Sequence, residues 1–109
     1  MTNTYTNAKK DLTTTNVTTL YTTPSLTTSI IKSIIVSEDS GNADTITVTI
    51  TDTASTPATF SLYKTKAISA NATAELLTAP LVLKTGEILK VTAATGGRLH
   101  VVASILEIS

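Results

Sequence analysis

The 109-residue chain has no cysteine, no tryptophan, one phenylalanine and one histidine, and only 15% of its residues are charged. Each shortage removes a class of function. Without cysteine there is no disulfide framework, thiolate nucleophile or zinc–cysteine site. The lone histidine, His100, has no second imidazole with which to share a metal and no partners for a nucleophile triad. Within Leu99-His100-Val101-Val102 it reads as a mid-strand residue at a surface or contact. Tyr5, Tyr21, Tyr63 and Phe60 are too few and scattered to stack sugars or bases. Eight Lys and Arg balance eight Asp and Glu, which leaves no basic field for a phosphate backbone, so nucleic acid is not an expected partner. The longest apolar stretches, Ile34-Ile35-Val36 and Val101-Val102-Ala103, fall far short of the roughly twenty residues of a membrane-crossing helix. The first residues lack the basic-then-apolar order of a secretory signal. A soluble chain with no membrane partner is expected.

Two loops carry residues that resemble sites. Thr95-Gly96-Gly97-Arg98 has glycine and a cation but not the Gly-Lys-Ser/Thr ending of a phosphate-binding loop; it reads as a tight hairpin turn. Residues 38–44 bring Glu38, Asp39, Asp44 and Asn42 close together. Oxygen ligands of this kind suit hard cations, yet the spacing is not that of an EF-hand, and turn chemistry alone accounts for Asp, Ser, Gly and Asn there. No metal or cofactor is expected, nor a catalytic residue, because no nucleophile–base pair can be assembled.

What the chain does have is β-branched residues in alternation. In Thr45-Ile46-Thr47-Val48-Thr49-Ile50-Thr51 the isoleucines and valine share one face of a strand and the threonines the other. Antiparallel sheets packed on one side read this way. Further strands are predicted around Leu20-Tyr21 before Pro24, over 29–37, from 58 to about 68, briefly over 74–79, at Leu81-Val82-Leu83, over 88–92, and from about 98 to 108. The turn-rich 38–44 segment suggests a hairpin joining 29–37 to the alternating strand, and Ala54-Ser55-Thr56-Pro57 a further turn. Seven or eight short strands with no helical period predict an all-β fold, a single antiparallel β-sandwich of jelly-roll type. The sandwich is expected over residues 11–109, and residues 1–10, which are polar and aperiodic, as an N-terminal arm.

The strands carry more apolar faces than one sandwich needs. In the last strand Leu99, Val101, Ala103 and Ile105 form one face, and Val102, Leu106 and Ile108 lie on the other. In 29–37, Ile30, Ile34 and Val36 are assigned to one face and Ile31 and Ile35 to the opposite one. Ile31, Ile35, Val102, Leu106 and Ile108 are therefore the candidate interface residues, since large exposed apolar patches mark protein contacts.

The run Ala79-Pro80-Leu81-Val82-Leu83-Lys84-Thr85-Gly86-Glu87-Ile88-Leu89-Lys90-Val91-Thr92-Ala93, followed by Leu99-His100-Val101-Val102-Ala103-Ser104-Ile105-Leu106-Glu107-Ile108, resembles small virion proteins of tailed bacteriophages. Leu20-Tyr21-Thr22-Thr23-Pro24 with Ile30-Ile31-Lys32-Ser33-Ile34-Ile35-Val36 is similar to theirs too. The resemblance implies a compact β-sandwich without an active site. It would be a virion structural subunit that decorates the capsid, or a neck, tail or fibre accessory, with itself and other virion proteins as partners. A carbohydrate- or host-surface-binding module is the alternative; it would need a concave surface with aromatic side chains.

Overall fold

The computed structural model describes residues 2–53 and 58–109. Nine strands follow one another: β1 (Asn3–Leu12), β2 (Thr18–Thr22), β3 (Thr28–Glu38), β4 (Asp44–Asp52), β5 (Ala58–Ile68), β6 (Thr73–Glu75), β7 (Leu81–Leu83), β8 (Ile88–Ala93) and β9 (Leu99–Ile108). All pairings are antiparallel. One sheet runs β1-β9-β3, with β6 and β7 side by side along the far edge of β3; the other runs β2-β8-β4-β5. Apart from β4–β5 and β6–β7, each connection carries the chain from one sheet to the other, and this is the wiring of a jelly roll.

Three expectations are corrected. Residues 3–12 are not an arm outside the domain: they form an edge strand paired with β9 in unbroken register from Asn3↔Ile108 to Leu12↔Leu99. Their polar composition reflects how little of the strand is covered, only Leu12 being buried. The 38–44 segment does not close a hairpin, because β3 and β4 belong to different sheets. Turn-forming residues suit a crossing between sheets as well as a reversal within one. The Gly96-Gly97 turn likewise passes from β8 to β9 across the sandwich. There Gly97 takes φ +80°, a conformation strained for any other residue, and a Cβ on Gly96 would lie 2.4 Å from the Thr13 carbonyl oxygen, so that position accepts no side chain without movement. The turn expected at 54–57 lies outside the described residues.

The core forms between the inner faces of the two sheets. As the alternation predicts, Ile46 and Val48 are fully buried, and so are Leu99, Val101 and Ala103, with Ile105 almost so. In the same sheet as Ile46 and Val48, Leu20 of β2 and Leu89, Val91 and Ala93 of β8 complete the inner face that packs against the β9 residues. In β3 the faces differ from the expected assignment. The register moves from Ile31↔Ile105 to Ser33↔Ser104, leaving Lys32 as a bulge. One extra residue reverses the alternation. Ile31 thus joins Ile34 and Val36 in the core at 0% exposure, and Ile30 and Ile35 turn outward. Ile31 is accordingly not an interface residue.

The bulge coincides with the break between β6 and β7. Where neither short strand pairs with β3, the Glu75 carboxylate accepts the Ile34 N–H at 2.9 Å and the Leu76 N–H reaches the Ile34 carbonyl at 2.8 Å. Buried backbone groups at the interruption are thereby satisfied.

Two substitutions separate the faces of β3. Ile31→Ala is expected to lower the unfolding free energy by about 2–5 kcal/mol, as for a fully buried aliphatic. Ile35→Ala should cost at most about 1 kcal/mol. Urea unfolding of both variants measures the difference; equal losses would place the two side chains in the same environment.

Candidate assembly surface

The outer face of the β1-β9-β3 sheet follows directly from its register. Strand partners share a face, so each row across the sheet can be read from the pairings. Tyr5, Leu106, Ile30 and Val82 form one continuous apolar row from β1 to β7. Asn7, Ser104 and Ser33 form a narrow polar row beside it. Beyond these lies Lys9–Val102–Ile35–Glu75, with two aliphatics between two opposite charges. Ile108 lies between Asn3 and Thr28 at one end, and Asp11–His100–Ser37–Thr73 closes the other. Tyr5 is 75% exposed, Val82 54%, and Val102 and Ile35 38% each; Leu106, Ile108 and Ile30 are half-buried.

Of the candidate interface residues, Ile35, Val102, Leu106 and Ile108 thus share one face, and only Ile31 leaves the group. Tyr5, Ile30 and Val82 belong to it but were not identified from sequence. For Tyr5 the available signal was Thr4-Tyr5-Thr6, β-formers inside the segment read as an arm. For Ile30 it was hidden by the bulge.

Residues singled out for chemistry have structural partners. Glu38 is almost fully buried. Its carboxylate accepts the N–H groups of Ser40 (2.8 Å), Gly41 (3.0 Å), Asn42 (3.1 Å) and Asn71 (3.1 Å), along with the Ser40 hydroxyl. Burial by itself would raise its pKa, but the bonds from Ser40, Asn71 and Gly41 outweigh it and bring the group from 4.5 down to about 2. Asp44 instead accepts the Thr95 N–H at 3.0 Å, and Asp39 faces His100. The three acids of the 38–44 loop therefore point to three different partners. Among the described residues no cluster of three His, Asp or Glu is arranged to hold a metal ion.

His100 lies between two carboxylates, with Nε2 3.2 Å from Asp11 and Nδ1 3.5 Å from Asp39. All three side chains are more than 40% exposed, so each pairing contributes at most about 1 kcal/mol. At the opposite end of the sheet, Tyr21 of β2 reaches across the sandwich to Ser29 (2.7 Å) and to the Glu107 carboxylate. Burial, reinforced by the Glu107 bond, pushes the phenol up to about 12 and keeps it a donor. The Tyr63 hydroxyl donates to the Leu76 carbonyl. The tyrosines thus lie at separate places in the fold.

No protein-family model matches the chain, and no curated protein matches it.

The Glu38 arrangement has a pH signature. A carboxyl whose folded pKa is depressed contributes stability that is fully present above its unfolded value and is lost as pH falls through the folded one. The wild type should therefore lose stability between about pH 4.5 and 2. Glu38→Gln should be less stable than the wild type at pH 7 and lose less on acidification over that window. Urea midpoints at several pH values check this; parallel profiles for the two proteins would remove Glu38 as the source.

Proposed function

We propose that the chain is a non-enzymatic structural subunit of a tailed-phage virion, assembling through the outer face of the β1-β9-β3 sheet to decorate or stabilise the capsid. The observation that carries this is the apolar row Tyr5–Leu106–Ile30–Val82 with Val102, Ile35 and Ile108 beside it, in a chain of low charge. Low charge makes covering such a face inexpensive in desolvation. The residues resembling small virion proteins, 79–93 with 99–108, include β9 and much of this surface.

A second copy fits the face by charge and size. A two-fold axis along the strands, between β9 and β3, places each row over the reversed same row of the other copy. Lys9 then meets Glu75, Val102 meets Ile35, Tyr5 meets Val82 and Leu106 meets Ile30. Such self-complementarity is what an isologous contact requires. With strands about 4.8 Å apart and about 3.3 Å per residue, β1, β9 and β3 together with the short β6 and β7 offer roughly 600 Å². That approaches the ~800 Å² per partner of a standard interface.

Val102→Asp is the direct test. It should abolish association through this face, read as a fall in native mass by light scattering, while the circular dichroism and thermal midpoint stay near wild type. A variant that keeps the wild-type mass would contradict the reading. The virion assignment is checked by gold-labelled antibodies to the chain on particles of the phage that encodes it; unlabelled capsids and tails would refute it.

A further inference from the structure

The free edge of β1 differs from the other sheet edges among the described residues, those of β2, β5, β6 and β7. Thr2 and Ser109 exchange both backbone hydrogen bonds, at 2.8 and 2.9 Å, and the β1–β9 register continues from them without a shift. In an antiparallel ladder, bonded and non-bonded pairs alternate. Thr4, Thr6, Ala8 and Lys10 therefore direct their N–H and C=O groups at β9. Asn3, Tyr5, Asn7 and Lys9 direct theirs away from it, along an edge that pairs with no other strand among the described residues. The next outward carbonyl, that of Asp11, is taken by the Thr13 N–H.

Exposed edges normally carry protection: short length, bulges, proline or charge. β2 has five residues, a register shift and Pro24 just beyond it. β5 has two shifts, Thr65 at φ 50° and two lysines, Lys64 and Lys66. β6 and β7 have three residues each. β1 has ten, with no bulge and no proline, and no charge from Asn3 to Ala8.

We infer that β1 pairs antiparallel with β1 of a second copy about a two-fold axis at Thr6, joining the two β1-β9-β3 sheets into one. Asn3 then lies opposite Lys9 of the second copy, and Tyr5 opposite Asn7. This register gives every outward N–H and C=O of Asn3, Tyr5, Asn7 and Lys9 a partner. Thr6 meets Thr6 and Thr4 meets Ala8 on the other side of the sheet, and no like charges face one another. This contact is independent of the face contact proposed above. With both, a subunit has two different isologous surfaces, and assembly can continue beyond a dimer.

Asn7→Pro tests the edge, because it removes an outward N–H that β9 does not use, and edge strands tolerate proline in that orientation. Asn3→Lys tests it without a backbone change, by setting lysines opposite one another at both ends of the pairing. Native mass is measured by light scattering across a concentration series for the full chain, for each variant and for Val102→Asp. The wild type should exceed a dimer. Both edge variants should fall to a dimer held by the face, Val102→Asp to a dimer held by the edge, and Val102→Asp combined with Asn7→Pro to a monomer. If Val102→Asp alone is monomeric and the edge variants match the wild type, the edge pairing is overturned and the face reading stands. If Val102→Asp matches the wild type while the edge variants lose mass, the edge stands and the face reading fails. A wild type that stays monomeric throughout overturns both.

Discussion

Lys32, held as an extra residue between the Ile31–Ile105 and Ser33–Ser104 pairs, decides which side chains of the central strand enter the core. On one side of the bulge Ile31 points inward, and on the other Ile34 and Val36 do, so three aliphatics spaced by three and two positions line the same interior. Ile30 and Ile35 are left on the outer face, beside Leu106 and Val102 of β9. The division of the opposite edge into β6 and β7 follows from the same irregularity, with Glu75 bonding to Ile34 where a continuous strand would have paired. Without the bulge, a strictly alternating β3 would put Ile31 outside together with Ile35, or Ile34 and Val36 outside in its place. Core and surface are therefore set by one local departure from the pleat.

In this chain without cysteine, polar anchors near the ends of the sandwich tie its parts together. Glu38 collects N–H groups from its own turn and from Asn71, so one carboxylate fixes two loops. The Arg98 guanidinium reaches the Ala43 carbonyl at 2.9 Å, tying the β8–β9 turn to the same region. Near Glu107 the Tyr21 phenol links β2 to β9 and β3. Each anchor spans two sheets or two loops. Few charges are needed at the surface for this purpose: aliphatics occupy much of the outer face of the β1-β9-β3 sheet, with the Asp11–His100–Asp39 group at one end.

Much of this architecture was legible in the sequence. Ile46 and Val48 against the intervening threonines, and Leu99 to Ile105 at alternate positions, specify strands with one buried side, and both are buried as their period requires. Strand partnership was not legible. Glu38 to Asp44 and Gly96-Gly97 announce turns, but a turn between the sheets of a jelly roll and a turn within a hairpin use the same residues. The inner and outer faces of β3 could not be read because a bulge leaves no residue type of its own: Lys32 is an unremarkable strand residue. β1 was missed for a further physical reason. An edge strand covered on one side by few neighbours needs little apolar content, and Asn, Thr and Lys then look like a tail. Ile35, Val102, Leu106 and Ile108 of the candidate surface were consequently legible, Ile31 being misplaced, but Tyr5, Ile30 and Val82, and with them the continuity of the surface, depended on pairings that only the fold supplies.

The central claim is that the outer face of the β1-β9-β3 sheet is covered by protein when the chain assembles. Methyl NMR during a dilution series examines this side chain by side chain. The account predicts that methyl signals of Ile30, Ile35, Val82, Val102, Leu106 and Ile108 shift or broaden as concentration rises, while those of Ile34, Ile46, Val48 and Val101 stay fixed. Changes confined to the other sheet, or outer-face signals that do not respond as the native mass increases, would contradict it.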